Sequence, residues 1–241
     1  MPVETRGRYI ILPAKQHMLD DGYFVPSIGH SHVYEYPDLL VPMDKDYYGA
    51  NWKQAHESLS RNNELMLTPR QFFDFIELLK SGTAYDGEGG KLDQESTDEV
   101  LGKIFNSGKD FEGEWLDAEF SIDRVNIYDT SQDRLRMACQ HEIYPIGLYA
   151  RKIYPVSRDR LKRLIPLYGE AIDLSTLDSI GLPTRTSNDV NFIGPCGGPR
   201  KPRPVAGFLS LDSTHLYCCG VGPDEAYPYI GVRRAKERKP R

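Results

Sequence analysis

Apolar positions recur at helical spacing in two adjacent stretches of this chain. From Gly49 to Asn62, the residues Trp52, Ala55, His56 and Leu59 fall three and four apart, which predicts a helix with one buried face. Thr68-Pro-Arg-Gln71 then reads as a helix start. Thr68 can cap, Pro69 suits the first helical position, and Gln71 completes a capping box. Phe72, Phe75, Ile76 and Leu79 form the stripe that follows, and Gly82 ends it as a C-terminal cap. The two helices, 49–62 and 68–82, are expected to lie against one sheet. Ser96-Thr-Asp-Glu99 opens a third, shorter helix through Val100, Leu101, Ile104 and Phe105, ending near Gly108.

Strand-like segments are shorter. Tyr34-Glu-Tyr36, Leu39-Leu-Val41, Phe120-Ser-Ile122, Arg124-Val-Asn-Ile-Tyr128, Asn191-Phe-Ile193, Val205 to Leu209 and Ile230 to Arg234 carry that pattern. Residues 1–45 read as irregular strands and turns, punctuated by Gly22, Pro26, Gly29, Pro37 and Pro42. Asp159 to Tyr168 is basic and partly helical in pattern, with Leu161, Leu164 and Ile165 on its apolar side. Ile172 to Leu182 reads as a short helix capped by Gly181, and Asp86–Gly90 and Gly194–Pro204 read as loops. There is no internal repeat and no clean linker. The expected class is α+β, with two helices on a small antiparallel sheet and long irregular loops.

Composition narrows the field. With 241 residues, 39% hydrophobic and 27% charged, the chain has a globular make-up and enough length for a sizeable core. Thirty Lys and Arg against 35 Asp and Glu give a net charge of −5, which argues against a dedicated nucleic-acid binder. The tail from Arg233 to Arg241 is basic and reads as a solvated end. No apolar run is long enough for a signal peptide or a membrane span, so a cytoplasmic location is the default, with surface or virion display left open. Cys139, Cys196, Cys218 and Cys219 have no metal-type spacing and are expected as free thiols.

Catalytic signatures are sparse. His30-Ser-His32 puts two imidazoles on one face of an extended segment, but nothing nearby completes a metal site. Asp86-Gly-Glu-Gly-Gly-Lys91 lacks phosphate-loop spacing and follows a helix instead of a strand. Cys139-Gln-His141 has no orienting partner. The carboxylates are scattered, and no metal or cofactor is expected. The tyrosines say more. Of fifteen, Tyr34, Tyr36, Tyr47 and Tyr48 are expected in part in the core, whereas Tyr217, Tyr227 and Tyr229 sit in an aperiodic stretch with Ser, Gly and Pro. Tyrosine among small residues is the composition of adaptable binding loops, because the ring offers a large contact area at little entropic cost.

That stretch has a frame: Val205-Ala206, Phe208, Cys219, Pro223 and Gly231-Val-Arg233. Together with Arg6-Gly-Arg-Tyr-Ile10, Leu12 to Asp21, Gly49 to Leu59 and Met66-Leu-Thr-Pro-Arg-Gln-Phe72, it resembles the variable proteins of diversity-generating retroelements, closest to the archaeal and virus-associated type. The resemblance covers most of the chain, least of all Asp123 to Gly181. It implies a single domain of C-type lectin fold, with an N-terminal extension over about 1–45, an insert over about 84–190 and a variable region over about 205–233. It also implies a binding protein and not an enzyme, with a ligand that is most plausibly a protein. In such proteins mutagenesis at template adenines rewrites Asn-type codons and leaves the frame fixed. The variable, ligand-binding positions implied here are Leu209, Leu211, Ser213, Thr214, Leu216, Cys218, Gly220, Val221, Gly222, Tyr227, Pro228 and Tyr229, all within the reachable residue set. Glu225 lies outside that set, and Gly207, Asp212, His215 and Tyr217 depart from the usual pattern. A formylglycine-generating-type oxidase shares the fold and is the rival, with Cys218-Cys219 as its candidate pair; a structural virion component is a third reading.

Overall fold

The structure, a computed structural model, describes residues 9–18, 33–105, 112–123, 134–143, 149–156, 158–167, 169–188, 190–194, 204–210, 214–218 and 221–239. In chain order the first half forms β1 (Tyr9–Leu12), β2 (Lys15–Met18), β3 (Val33–Tyr36), β4 (Leu39–Pro42), α1 (Trp52–Arg61), β5 (Leu65–Met66), α2 (Pro69–Lys80) and α3 (Gln94–Phe105). The second half forms β6 (Glu112–Asp123), β7 (Arg134–Ile143), β8 (Tyr149–Val156), α4 (Arg158–Leu164), β9 (Ala171–Ile172), β10 (Val190–Ile193), β11 (Val205–Ser210), β12 (Thr214–Tyr217), β13 (Ile230–Gly231) and β14 (Arg234–Glu237).

The chain is α+β. Its main sheet runs β8-β7-β6-β11-β12-β10-β9, with β13 added alongside β6. Two pairings, β10 with β12 and β13 with β6, are parallel. A second sheet runs β1-β4-β14-β5, all antiparallel, and β2 and β3 form a separate hairpin pair. The main sheet is thus larger and more mixed than the small antiparallel one expected. Much of the difference is β6, where Gly113 through Phe120 are buried without a break. A strand covered on both faces has no polar alternation for a pattern search to find.

The first two helices form for the expected local reasons. Thr68 and Gln71 make the reciprocal capping box at α2, Pro69 sits in its first turn, and Asn51 and Gln54 make a second box at α1. Gly82, past the end of α2, takes φ +65°, which a glycine adopts at little cost. More than the expected stripe of α2 is inside: every residue from Pro69 to Ile76 is buried, as is Leu79. Helix α3 starts two residues before the expected position, because Asp93 Oδ1 accepts from the Ser96 amide at 2.8 Å. Its expected end at Gly108, like Arg124–Tyr128, lies outside the described residues.

Ile172 to Leu182 is not a helix. After β9 a single 3-10 turn spans Leu174–Thr176, and the chain then wraps around Asp178. Asp178 Oδ1 accepts from the amides of Ile180 and Leu182 at 3.1 and 2.8 Å, and Arg160 donates to Oδ2 from Nε and Nη2 at 3.1 and 2.7 Å. A buried side chain that takes the backbone donors leaves them unavailable to a helix. The basic tail is likewise not a free end. β14 lies between β4 and β5, and Arg233 just before it is 1% exposed. Its guanidinium reaches both Glu114 oxygens at 3.1 and 2.7 Å and the carbonyls of Pro42 and Met43 at 2.9 and 2.6 Å.

Two apolar clusters result. The main one joins α2, α3 and both sheets. A smaller one packs Trp52, Ala55 and Leu59 of α1 against Met66, Trp115, Val205, Leu209, Val221, Ile230 and Val232. The chain's two indoles lock it: Trp52 Nε1 donates to the Leu116 carbonyl at 2.9 Å, and Trp115 Nε1 to that of Ala50 at 3.0 Å.

Candidate functional site

β11 is buried along its whole length, and its side chains divide between the two clusters. Ala206 and Phe208 enter the main core, where Phe208 meets the rings of Phe72, Phe73 and Phe105 at centroid distances of 5.0, 6.0 and 5.8 Å. Val205 and Leu209 enter the smaller one. β12 continues the division: Leu216 faces the main core, while Tyr217 packs on the smaller cluster and lies 5.7 Å from His215. Within the stretch that was read as aperiodic, Thr214–Tyr217 form a strand in which Leu216 alone is buried.

Beyond β12, residues 221–230 cross the open edge of the smaller cluster. Backbone bonds fix this crossing. Val221 O accepts from Val205 N at 3.0 Å, Pro223 O from Lys53 N at 3.2 Å, and Tyr229 O from Gly113 N at 3.1 Å. Ile230 O accepts from Gly49 N at 3.3 Å. Two side-chain ties add to them: Asn51 Nδ2 donates to Asp224 O at 3.4 Å, and Lys53 pairs with the Asp224 carboxylate at 2.8 Å. The loop is held mostly by main-chain groups, which are the same for any residue.

Tyr227 and Tyr229 lie half-buried on this edge, with ring centroids 5.7 Å apart and planes 38° apart. Trp115 lies beneath, 6.2 Å from Tyr227. Tyr47 joins the same rim, its hydroxyl accepting from Asn62 Nδ2 at 2.9 Å. Glu225 ties the loop to itself. Its Oε1 accepts from the Gly222 amide at 3.2 Å and its Oε2 from the Tyr227 hydroxyl at 2.8 Å. Burial, and then this carboxylate, push the Tyr227 phenol up to about 12.

The structure divides the twelve candidate positions. Leu209, Leu216, Cys218 and Val221 are buried and offer no contact area in this conformation. Thr214, Gly222, Tyr227 and Tyr229 are half-buried, and Pro228 is exposed. Leu211, Ser213 and Gly220 lie outside the described residues. Among the other tyrosines, Tyr34 and Tyr36 are core residues as expected, whereas Tyr48 is 48% exposed. Tyr47, expected in part in the core, packs half-buried against the smaller cluster, two residues before the turn at Gly49, where φ is +77°.

A buried electrostatic cluster lies elsewhere, at Asp74 of α2. Its buried carboxylate accepts from Lys15 at 2.7 Å, Arg70 at 3.0 Å and the Tyr36 hydroxyl at 2.6 Å, and meets His17 Nε2 at 2.9 Å. Burial would raise its pKa, but the His17, Arg70, Lys15 and Tyr36 contacts outweigh that and hold it well below the usual carboxylate range. These partners come from β2, β3 and α2, so the cluster clasps the hairpin to the helix. A cavity of about 510 Å³ beside it is lined by His17, Asp178, Ser179 and Arg185 among others. Cys139 and Cys218 are buried, and Cys196, Cys219, His30, His32 and the side chain of His141 fall outside what the structure describes. No helix among the described residues is long and apolar enough to cross a membrane. No protein-family model, curated protein or solved structure matches this chain.

Proposed function

We propose that this chain is a binding protein of C-type lectin fold, a variable protein of a diversity-generating retroelement, whose C-terminal rim recognises a protein partner. The observation that carries this reading is a set of half-buried tyrosines seated on one packed cluster: Tyr227 and Tyr229 on a loop tied through its backbone, with Tyr47 and Tyr217 against the same cluster. Rings held this way give up little freedom on binding and present broad amphipathic area, which suits a protein surface. The two described cavities, of about 510 and 520 Å³, are lined by other segments.

The division into fixed and changeable residues supports the retroelement reading. Frame residues Val205, Ala206, Phe208, Val232 and Arg233 are all buried. The contact set narrows to Thr214, Gly222, Tyr227, Pro228 and Tyr229 from the described positions, with Leu211, Ser213 and Gly220 retained from the resemblance. Glu225 fits a fixed residue, since it holds both Gly222 and Tyr227.

Sequencing the DNA flanking the gene tests the reading. A near-copy of the segment for residues 205–233, differing only opposite template adenines and accompanied by a reverse-transcriptase frame, is the expected result. Intact flanks without such a copy would overturn the retroelement origin and leave a fixed binding loop.

A further inference from the structure

The cavity of about 510 Å³ lies between β2 and the segment from Thr176 to Arg185, and most of the side chains that line it are polar. What these groups already hold decides what they can take. Asp178, the carboxylate of the described wall, has Arg160 on Oδ2 and the amides of Ile180 and Leu182 on Oδ1. The Thr176 and Thr184 hydroxyls donate to the carbonyls of Asp173 and Thr176, and His17 Nε2 meets Asp74.

Ser179 and Arg185 differ. Ser179 is 7% exposed, and among the described residues neither its hydroxyl nor its amide has a hydrogen-bond partner. The Asp178 carbonyl accepts from Arg70 Nη1 at 3.3 Å, so the Ser179 N–H, on the far side of that planar peptide, points away from Arg70. A buried donor without a partner costs free energy, and native structures seldom keep one that has no role. Arg185 is exposed and holds no ion pair among the described residues. The nearby Asp173 engages its own Oδ1 with the Ser175 amide and hydroxyl. The uncommitted groups of the wall are thus donors and one positive charge. A cation would meet Arg185 and a carboxylate already taken. An oxyanion gains from both residues: a guanidinium holds two oxygens of a carboxylate or phosphate side by side, and hydrogen bonds to a charged acceptor are the strong ones.

We propose that this cavity binds a small organic anion, its carboxylate or phosphate held by Arg185 and Ser179 and its remainder against Met18 and Leu177. The volume suits a small molecule, and Met18 is 69% exposed and offers apolar contact. The Ser179 hydroxyl is covered in this conformation and meets the anion by rotation about χ1. The site stands independently of the rim, whose residues do not line it.

NMR titration of the full chain with inorganic phosphate, and separately with acetate, against sodium chloride of equal ionic strength tests it. The expected result is saturable shifts of the Ser179 amide and the His17 ring that chloride does not produce. Saturation by phosphate alone supports a phosphate ester as the ligand, and by acetate alone a carboxylate. Arg185→Gln should weaken binding about tenfold or more, and Ser179→Ala about two- to tenfold. Because its hydroxyl has no partner, Ser179→Ala should unfold at the same temperature as the parent chain or higher, which separates lost binding from lost structure. Shifts that chloride reproduces, binding unchanged in Arg185→Gln, or no response to either anion would overturn the site. A Ser179→Ala chain clearly less stable than the parent would give the hydroxyl a structural role and overturn it as well.

Discussion

Asp74 and Arg233 concentrate the buried charge of this chain, and each joins elements far apart in sequence. Asp74 draws Lys15, His17 and Tyr36 onto α2, and its pKa is held down by them, with burial opposing. A carboxylate depressed in the folded state adds stability that is fully present above its unfolded pKa, about 3.9, and is lost as pH falls toward the folded value. Unfolding free energy from urea titrations should therefore drop between about pH 4 and pH 2. Asp74→Asn should be less stable at pH 7 by about 3 kcal/mol, since it leaves the buried Arg70 with only Glu77 at 3.7 Å to answer its charge, and should show a flatter acid limb. Arg233→Ala strands Glu114, which is 2% exposed, and should lose about 3–5 kcal/mol in the same measurement. Neither role is legible in the sequence. Arg233 stands in a basic tail that reads as solvent-facing, and Asp74 lies in a helix whose visible signal is its apolar stripe; their partners are 119 and up to 59 residues away.

Helices α1 and α2 were legible because caps and apolar spacing are local. Thr68 both accepts from the Gln71 amide and meets the Tyr34 hydroxyl, so Thr68→Ala should lower stability by at least about 1 kcal/mol, read from denaturant midpoints. Strand β11 was legible as Val205 to Leu209, but β6 and β12 resist the same reading because their surroundings come from elsewhere. β6 is buried without a break from Gly113 to Phe120, and β12 takes its place from the clusters on either side of it. The segment Ile172–Leu182 failed for the opposite reason: one residue, Asp178, overrides a helical pattern by taking the amides of Ile180 and Leu182. Gly181 closes that turn at φ +87°, and a Cβ there would stand 2.5 Å from the Arg70 amide. Gly181→Ala should therefore lose about 2 kcal/mol or more and loosen the start of α2, visible as faster amide exchange there.

At the scale of the whole molecule, the chain separates a core that carries its stability from a rim that adds little to it. The rim loop is joined to α1, β6 and β11 by main-chain bonds through Val221, Pro223, Tyr229 and Ile230, none of which needs a particular side chain at the contact positions. Of the rim tyrosines, Tyr217, Tyr227 and Tyr229 were legible from composition, as Tyr among Ser, Gly and Pro. The burial of Leu209, Leu216, Cys218 and Val221 was not, because only the folded clusters decide which way they face. A library randomising all twelve candidate positions, sorted for resistance to proteolysis and then sequenced, measures this division directly. The account predicts broad tolerance at Thr214, Pro228 and Tyr229, partial tolerance at Tyr227 and at Gly222, where a Cβ would press on Glu225, and near-exclusive apolar choices at Leu209 and Leu216. Equal intolerance at the rim and in the core would contradict it, and would make the C-terminal loop part of the structural core instead of a changeable contact surface.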